Sequence, residues 1–577
     1  MPQMSTSQMK PSRRSVFQFA GGAAAGALLT PAPWRLITDT ALWSESWPGV
    51  PLPLRGEIRA KFTNCALCTA GCAVRARCVG EQPVSLAGVA GGLCPFGLAA
   101  HHLPYHPARL KQGRIAEAAA EIAKRGTQGL ALLDLNPGRT ASWTYRRTMQ
   151  AINGAYLAAP EPFAVDLHAA KTVLSFGVPV LDGWGNPANV FAARDGFHLI
   201  QVEPIESGTA VLADEWIPVI PGNESVIAQT ILRCLQQGNL SALARQLVDN
   251  GPSVVLGDLP EIPEINRLLG AYGKTIVARP EAPVPDPWKK SAAPLTRLAD
   301  LPDNSIRVLL IDEASAVDYI PWHRIARKLV RENPLVVTFT ASRGGYARYA
   351  NYALPVAVYP ETLDDIAPAI DRVSASFKLS VPLVTPPAGM ANLAEFAGAL
   401  AGVQASNSLR ERAGEIHRIG QGTLLTYADG KVIPLKDLTE DAFWKALNEG
   451  AEWVGQSSEP IAPPLQPVPV AAAESSSDLP LVAIAQPHTP PGSPLMTKLY
   501  QESNLRLAPN RIVLSPADAA TARVRNNGRA ILQTRLGKCA VEVTIDPAVP
   551  QGSVRVGGSP GIQDVCGPAA RAKVVSA

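Results

Sequence analysis

Four cysteines carry the spacing most suggestive of chemistry: Cys65, Cys68, Cys72 and Cys94, in NCALCTAGC and GGLCPFG. Written out, the pattern is C-x2-C-x3-C-x21-C-P. Three sulfurs within eight residues, in a turn-rich stretch with Gly71, can reach a common centre, and the fourth returns from a hairpin-sized excursion to close it. Four thiolates around one centre suit a [4Fe–4S] cluster or a structural zinc. Zinc sites tend to pair cysteines two and two, so three clustered and one remote favours iron–sulfur. Two disulfides are a third reading for an exported chain, but Cys65 and Cys68 are close neighbours with little loop to staple. Cys78, Cys234, Cys539 and Cys566 are scattered and read as small core residues.

The elements that must hold this centre follow from residue patterns. Val74–Arg77 alternates as a strand, and Pro83–Gly88 reads as its hairpin partner. A small sheet with the cluster at its edge is expected over 59–110. After Lys111 the pattern switches to helices alternating with short apolar runs. Helices are expected at Ala116–Arg125 and Trp143–Leu157, and buried strands at Gly129–Leu135, Thr172–Gly177 and His198–Pro204. A second such run has strands at Ser253–Gly257, Lys274–Ala278, Arg307–Asp312 and Leu335–Phe339, with helices at Ile262–Ala271 and Ile320–Glu332. Strands alternating with helices imply parallel sheets covered on both faces, with ligands beyond the strand C-termini. That places Gly177 and Glu203 on the expected binding rim. No G-x-G-x-x-G opens any of these helices, so a simple nicotinamide-dinucleotide site is unsupported. The boundaries expected are 111–250 for the first α/β unit, 251–450 for the second, and a Pro/Ser-rich linker at 455–495. Arg511–Leu514, Arg529–Thr534, Ala540–Ile545 and Ser553–Val556 then read as strands of a small barrel over 498–570, with a helix at Pro516–Ala522.

A length of 577 residues with 46% hydrophobic and 18% charged content fits a globular chain of several domains. The net charge of +4 is too mild for a nucleic-acid binder, and no basic stripe is present. Ser12-Arg13-Arg14-Ser15-Val16-Phe17-Gln18 is a twin-arginine pattern, followed by a small-residue apolar stretch, Phe19–Leu29. Residues 1–32 therefore read as an export signal for a protein carried folded, cofactor inserted. No A-x-A site follows cleanly, so the stretch is a candidate anchor as well.

A four-cysteine segment, two α/β units and a closing barrel, in that order, resemble the molybdopterin oxidoreductase superfamily. Four stretches carry the resemblance: LSFGVPVLDGWGNP, VEPIESGTAVLADEWIPVIPGNES, FTASRGGYARYANYALPVAVYPET, and RIVLSPADAATARVRNNGRAILQTRLGKCAVEVTIDPAVPQGSV with Pro516, Asp518, Ala519, Gly528 and Gly552 in place. The resemblance implies an α/β fold made of a small N-terminal iron–sulfur β domain, two Rossmann-like α/β units and a C-terminal double-psi-type β-barrel. It implies a [4Fe–4S] cluster on the four cysteines. It also implies a pterin pocket lined by Gly177, Trp184, Glu203, Thr209 and Asp214.

The departures decide the expected function. Pterin-using members carry Cys-Pro-Lys-Gly after the last ligand, whereas this chain has Cys94-Pro95-Phe96-Gly97. No cysteine lies between Cys94 and Cys234 to bind a second metal, and Ser142 and Asp134 are the substitutes to consider. Ile205 stands where arginine is common, Asn223-Glu224 replace Thr-Asp, Glu313-Ala314 replace Asn-Pro, and Asn351 replaces Asp. The combination resembles the molybdopterin-like subunits of menaquinone reductase and alternative complex III, including a loose match at GSPLMTKLYQESNL with Met496 and Gln501-Glu502. That subgroup implies an exported electron-transfer protein with a degenerate pterin site, on the periplasmic side of the inner membrane. Its implied partners are a multihaem cytochrome c, a ferredoxin-like multi-cluster subunit and a polytopic quinone-binding membrane subunit. The competing expectation is a catalyst carrying molybdenum bis-molybdopterin guanine dinucleotide and acting on a small inorganic or one-carbon substrate.

Overall fold

The computed structural model describes residues 13–29, 56–89, 92–160, 162–314, 316–317, 319–457, 459–461, 479–485, 494–495, 510–567 and 570–577. The chain divides into two units, Met1–Arg59 with Cys78–Gln82, and Ala60–Arg77 with Pro83–Ala577. In the first, the apolar N-terminal stretch forms the helix Arg13–Leu29. Among the described residues no helix is long and apolar enough to cross a membrane. Ser12, Met496, Gln501 and Glu502 lie outside the described residues.

The cysteine segment forms a three-stranded sheet of β1 (Ile58–Asn64), β2 (Ala73–Val79) and β3 (Gln82–Gly88), in that order. β2 alternates as its sequence predicts, with Val74, Ala76 and Cys78 buried and Arg75 and Arg77 exposed. β1 is an unexpected strand, because its first three residues are all exposed and show no apolar alternation.

Two parallel sheets follow, interleaved in the sequence. β4 (Leu130–Asp134) and β5 (Ala155–Leu157) come first, and β6 (Phe163–Val165) stands apart from both sheets. β7 (Thr172–Phe176), β8 (His198–Glu203), β9 (Glu215–Pro218) and β10 (Ser253–Leu256) form one sheet in the order β10-β7-β8-β9. β11 (Ile276–Ala278) pairs antiparallel with β6. β12 (Leu295–Thr296), β13 (Val308–Asp312), β14 (Leu335–Thr340) and β15 (Tyr352–Pro355) then rejoin the first strands, giving β12-β5-β4-β13-β14-β15. Every residue of β4, β13 and β14 is buried, as a parallel sheet covered on both faces requires. Each such aliphatic side chain contributes about 1.5–3 kcal/mol by leaving water.

Several expectations need correction. The α/β units do not part at residue 250. β10 pairs with β7 from Ser253 on, and β13 pairs with β4 across 178 residues, Leu130 to Val308. The helix expected at Trp143–Leu157 is Thr140–Ala151. Asn153 takes a left-handed φ of 53° and, with Gly154, turns the chain into β5. The Lys274–Ala278 run joins β6 rather than a parallel sheet. The helix expected at Ile320–Glu332 is only Trp322–Ala326, because Val330 donates to the Ile306 carbonyl at 2.9 Å instead of continuing the helix.

β16 (Asp364–Asp365), β17 (Ser374–Ser380), β18 (Thr423–Thr426), β19 (Val432–Pro434) and β20 (Ala451–Ser457) form an antiparallel sheet, β16-β17-β20-β18-β19. This sheet carries the cysteine segment. Thr63 and Val381 exchange hydrogen bonds of 2.9 and 2.7 Å, and Asn64 donates to the Leu379 carbonyl at 2.9 Å. The buried Tyr427 hydroxyl donates to Asn64 at 2.7 Å.

The C-terminal barrel closes as β21-β25-β22-β24-β23-β26, from β21 (Leu481–Ala485), β22 (Arg511–Leu514), β23 (Gly528–Thr534), β24 (Lys538–Ile545), β25 (Ser553–Val556) and β26 (Arg571–Ser576). β21 lies inside the stretch expected to be linker; five apolar residues after Leu479-Pro480 are too short a run to stand out beside 462–478. Asp518 accepts from the Ser515 hydroxyl at 2.7 Å and from Gly552 N–H at 2.9 Å, tying the barrel's helix Pro516–Ala522 to the turn before β25. Asp564 accepts from the Tyr319 hydroxyl, the Trp322 N–H and Arg348, all within 2.9 Å, and so joins the barrel to the six-stranded sheet.

Candidate functional site

The four cysteines sit on two loops. Cys65 follows β1 directly, and its N–H donates to the Cys72 carbonyl at 2.9 Å, so the first and third thiols are held by one closed loop. Gly71 turns that loop with a φ of 55°. A side chain there would be excluded twice, since a Cβ would stand 2.8 Å from Lys378 Cε and 2.9 Å from Ile366. Cys94 is the N-cap of the helix Pro95–Ala99, and its sulfur accepts from Gly97 N–H at 3.4 Å.

The thiols share an environment. Burial first, then the neighbouring Cys72, Cys68 and Cys94, pushes Cys65 well above its ordinary value. Burial and Cys94 push Cys68 up to about 11, against backbone N–H groups of Ala70 and Gly71 and the charge of Lys378. Burial, Cys68 and Cys94 push Cys72 up to about 12. Burial also raises Cys94, against N–H groups of Gly97 and Phe96. Four neighbouring thiols, two buried and two half-buried, whose ionised forms would repel one another and which have N–H groups aimed at sulfur, fit a centre that supplies the positive charge itself. Among the described residues, no group of three or more His, Cys, Asp or Glu is arranged to hold a single metal ion. A [4Fe–4S] cluster fits the donor set in a second respect. The Tyr359 hydroxyl is buried beside Cys65 and Cys72 and has no hydrogen-bond partner in the polypeptide. Leaving such a group unpaired costs about 1–3 kcal/mol.

The loop after β7 braces this centre. Asn186 caps the helix Pro187–Ala193 and donates to the Ala70 carbonyl at 2.7 Å. Asp371 accepts from Asn186 N–H and Asn189, both at 2.9 Å, with Gly185 packed too close to its carboxyl for any Cβ.

Of the residues expected to line a pterin pocket, Gly177, Trp184, Glu203 and Thr209 lie around the C-terminal ends of β7 and β8, and Asp214 does not. Gly177 is exposed at the C-terminal end of β7, and its N–H donates to the Val202 carbonyl at 3.1 Å. Glu203 is buried, accepting from Gln201 and Ser207 N–H, each at 3.0 Å. Thr209 is fully buried and accepts from Leu181 N–H, tying two turns together. Trp184 is half-buried against the core of the four-stranded sheet. Asp214 lies at the opposite, N-terminal end of the strands, accepting from Leu199 N–H at 2.7 Å and pairing with Arg194 at 3.0 Å.

A crevice of about 600 Å3 opens instead beyond β4 and β13, where the strand order of the six-stranded sheet reverses. Its floor is a buried ion cluster. Arg139 pairs with Asp312 at 2.7 Å and with Asp364, and lies 3.8 Å from Asp134. Ser142 and Tyr156 donate to Asp134 at 2.6 and 2.8 Å, and Tyr145 donates to Asp312 at 2.8 Å. Arg412 pairs with Asp365 at 3.0 Å. The two side chains weighed as ligands for a second metal, Ser142 and Asp134, are thus bonded to each other. Burial pushes Asp364 up to about 7, against the nearby Arg139.

Glu313 stands beside this crevice's strands, in the family's Asn-Pro position. It accepts from Tyr346 N–H at 3.1 Å and from Thr338 at 3.2 Å, and a Cβ on Gly345 would overlap its carboxylate. Burial pushes it from 4.5 up to about 7. Across that window the folded carboxyl keeps a proton the unfolded chain has released, so stability falls as pH rises and the loss is complete above about 7. The difference is about 3 kcal/mol. Glu313→Gln is expected to match the parent near pH 4 and to exceed it by about that amount at pH 8 in urea unfolding. Equal pH dependence in the two proteins would contradict this.

Sequence reasoning missed Tyr359, Lys378, Asp371 and the Arg139 cluster. Their partners are mostly more than 100 residues away in the chain; Tyr359 lies in one of the four resembling stretches and Asp134 ends a strand, but nothing local marks either one's use, and the nearest signal for Lys378 was a lysine within an alternating strand, Ser374–Ser380.

No family model matches the chain. It is 24% identical to the menaquinone reductase molybdopterin-binding-like subunit of Nitratidesulfovibrio vulgaris, over 66% of this chain and 71% of that one. It is 23% identical to a sulfite dehydrogenase subunit of Allochromatium vinosum, over 34% of this chain but only 24% of that larger protein. In fold it is similar to the acetylene hydratase of Pelobacter acetylenicus, with a TM-score of 0.61, 12% identity and coverage of 90% of this chain and 100% of that one. Together these likenesses place the chain in the molybdopterin oxidoreductase superfamily.

Proposed function

We propose that the chain is an iron–sulfur electron-transfer subunit of a membrane-bound, quinone-linked respiratory complex, and that its pterin site is degenerate. The observation that carries this reading is the contrast between two places in one fold. The cysteine pocket has the makings of a centre: the buried Cys65 and Cys72, the half-buried Cys68 and Cys94, backbone N–H groups on the sulfurs and the buried Lys378 nearby. The crevice at the strand switch is spent on itself, with Arg139 shared among Asp134, Asp312 and Asp364. A pterin dinucleotide carries phosphates, and the guanidinium at the crevice floor is already committed to Asp312 and Asp364. When bound, a [4Fe–4S] cluster supplies one-electron storage at a potential tuned by burial and by hydrogen bonds to sulfur. The chain's part is to exclude water, fix the thiols and offer a docking surface to neighbouring proteins of the complex.

The twin-arginine pattern with helix Arg13–Leu29 supports export with the centre already inserted, and a place on the periplasmic side of the inner membrane. The partners that fit are a multihaem cytochrome c, a ferredoxin-like multi-cluster subunit and a polytopic quinone-binding subunit.

The crevice itself favours a second reading, a molybdenum bis-molybdopterin guanine dinucleotide enzyme, since 600 Å3 could seat part of such a ligand. Metal analysis of anaerobically purified protein separates the two. About four iron atoms per chain without molybdenum or tungsten is expected. Molybdenum or tungsten near one per chain would sink the electron-transfer reading and establish the catalyst.

A further inference from the structure

The cysteine pocket contains two polar groups whose interactions the polypeptide leaves incomplete. Tyr359 is 3% exposed, yet its hydroxyl has no partner among protein atoms. Lys378 is 7% exposed, projecting from β17 against Gly71, where a Cβ would stand 3.0 Å from its Nζ. Its nearest carboxylate, Glu452, is 3.8 Å away and is taken more closely by Arg372, at 3.0 Å. Two cations thus share one carboxylate. Asp371, the other acid nearby, accepts from Asn186 and Asn189 and also feels the Lys378 charge. The Lys378 charge favours the ionised forms of Cys68 and Cys72 as well as that of Asp371.

We propose that Tyr359 and Lys378 set the reduction potential of the centre held by Cys65, Cys68, Cys72 and Cys94. This rests on the iron–sulfur reading above. One-electron reduction adds a negative charge to a buried site. A buried ammonium, and a buried hydroxyl that no protein atom accepts from and that is free to donate to the bound centre, both stabilise the reduced form more than the oxidised one, which raises the potential. Phe96 can do neither. Approaching from β17 rather than from the Cys94 helix, Lys378 acts on the Cys68–Cys72 side of the centre. Both residues are positioning groups; neither is a metal ligand.

The test is an electron-paramagnetic-resonance redox titration of the full chain, purified anaerobically, with iron measured on each sample. Tyr359→Phe, Lys378→Gln and Lys378→Arg are compared with the parent. Lys378→Gln is expected to lower the midpoint by at least about 59 mV, a tenfold change for one electron. Tyr359→Phe is expected to lower it by a smaller amount, and Lys378→Arg to restore most of the parent value. Should Lys378→Gln fail to fold, the near-isosteric Tyr359→Phe decides alone. Unchanged midpoints at full iron content overturn the proposal and leave the cluster reading intact. A parent chain without iron overturns both.

Discussion

Cys72→Ser is expected to empty the cysteine pocket. Its carbonyl receives the Cys65 N–H at 2.9 Å, so the first and third thiols are fixed by one loop and no flexible residue can swing in as a substitute. A serine hydroxyl ionises far less readily than a thiol, and this position already raises the thiol to about 12. Iron is expected to fall from about four atoms per chain to under one, with loss of the broad visible absorption. The fold should persist, because the exchange is nearly isosteric and the sulfur makes no hydrogen bond that the loop depends on. Cys566→Ser, in the barrel core, is the control and should keep its iron. Full iron in Cys72→Ser would refute the four-cysteine assignment.

Arg139→Met is expected to be the most destabilising single exchange outside that pocket. Arg139 is 3% exposed and stands between Asp134, Asp312 and Asp364. Burial opposes its charge, but Asp364 and Asp312 hold it firmly protonated. Removing one partner of a buried pair leaves uncompensated charge, which costs about 3–5 kcal/mol. The sign with pH follows from the acids. Burial already raises Asp134 and Asp364, the latter to about 7, and loss of the guanidinium raises them further, so the penalty grows as pH rises through these folded-state values and is largest above about 7. Urea unfolding at pH 5 and pH 8 should show the larger deficit at pH 8. A deficit under about 1 kcal/mol at both would mean that the cluster contributes little to stability.

Much of this fold was legible where sequence constrains structure locally. LALLD and VLLID are continuous apolar runs ended by an acid, and both became fully buried strands whose terminal acids, Asp134 and Asp312, lie side by side. The cysteine spacing was legible for the same reason: eight residues can fix three thiols without help from the rest of the chain. What was not legible depends on distant partners. Asp214 has the residue type of a ligand-binding acid, but its use is to hold Leu199 and Arg194 at the wrong end of the strands. Thr209 looks like a phosphate contact and is a buried bolt between turns. Nothing around Lys378 or Tyr359 announces that either faces a cysteine. The expected break at residue 250 failed because sequence order was taken for sheet order, and a parallel strand carries no mark of its neighbour.

That interleaving bears on biosynthesis. β4 waits for β13, and the cysteine loops wait for β17: Lys378 is translated 284 residues after Cys94. Contacts of such long range are slow to form and leave early segments exposed in the meantime. A chain paused between Cys94 and Lys378 would carry all four thiols yet lack one wall of their pocket. On the iron–sulfur reading, a truncation that keeps these four cysteines but ends before β17 should be unable to retain iron.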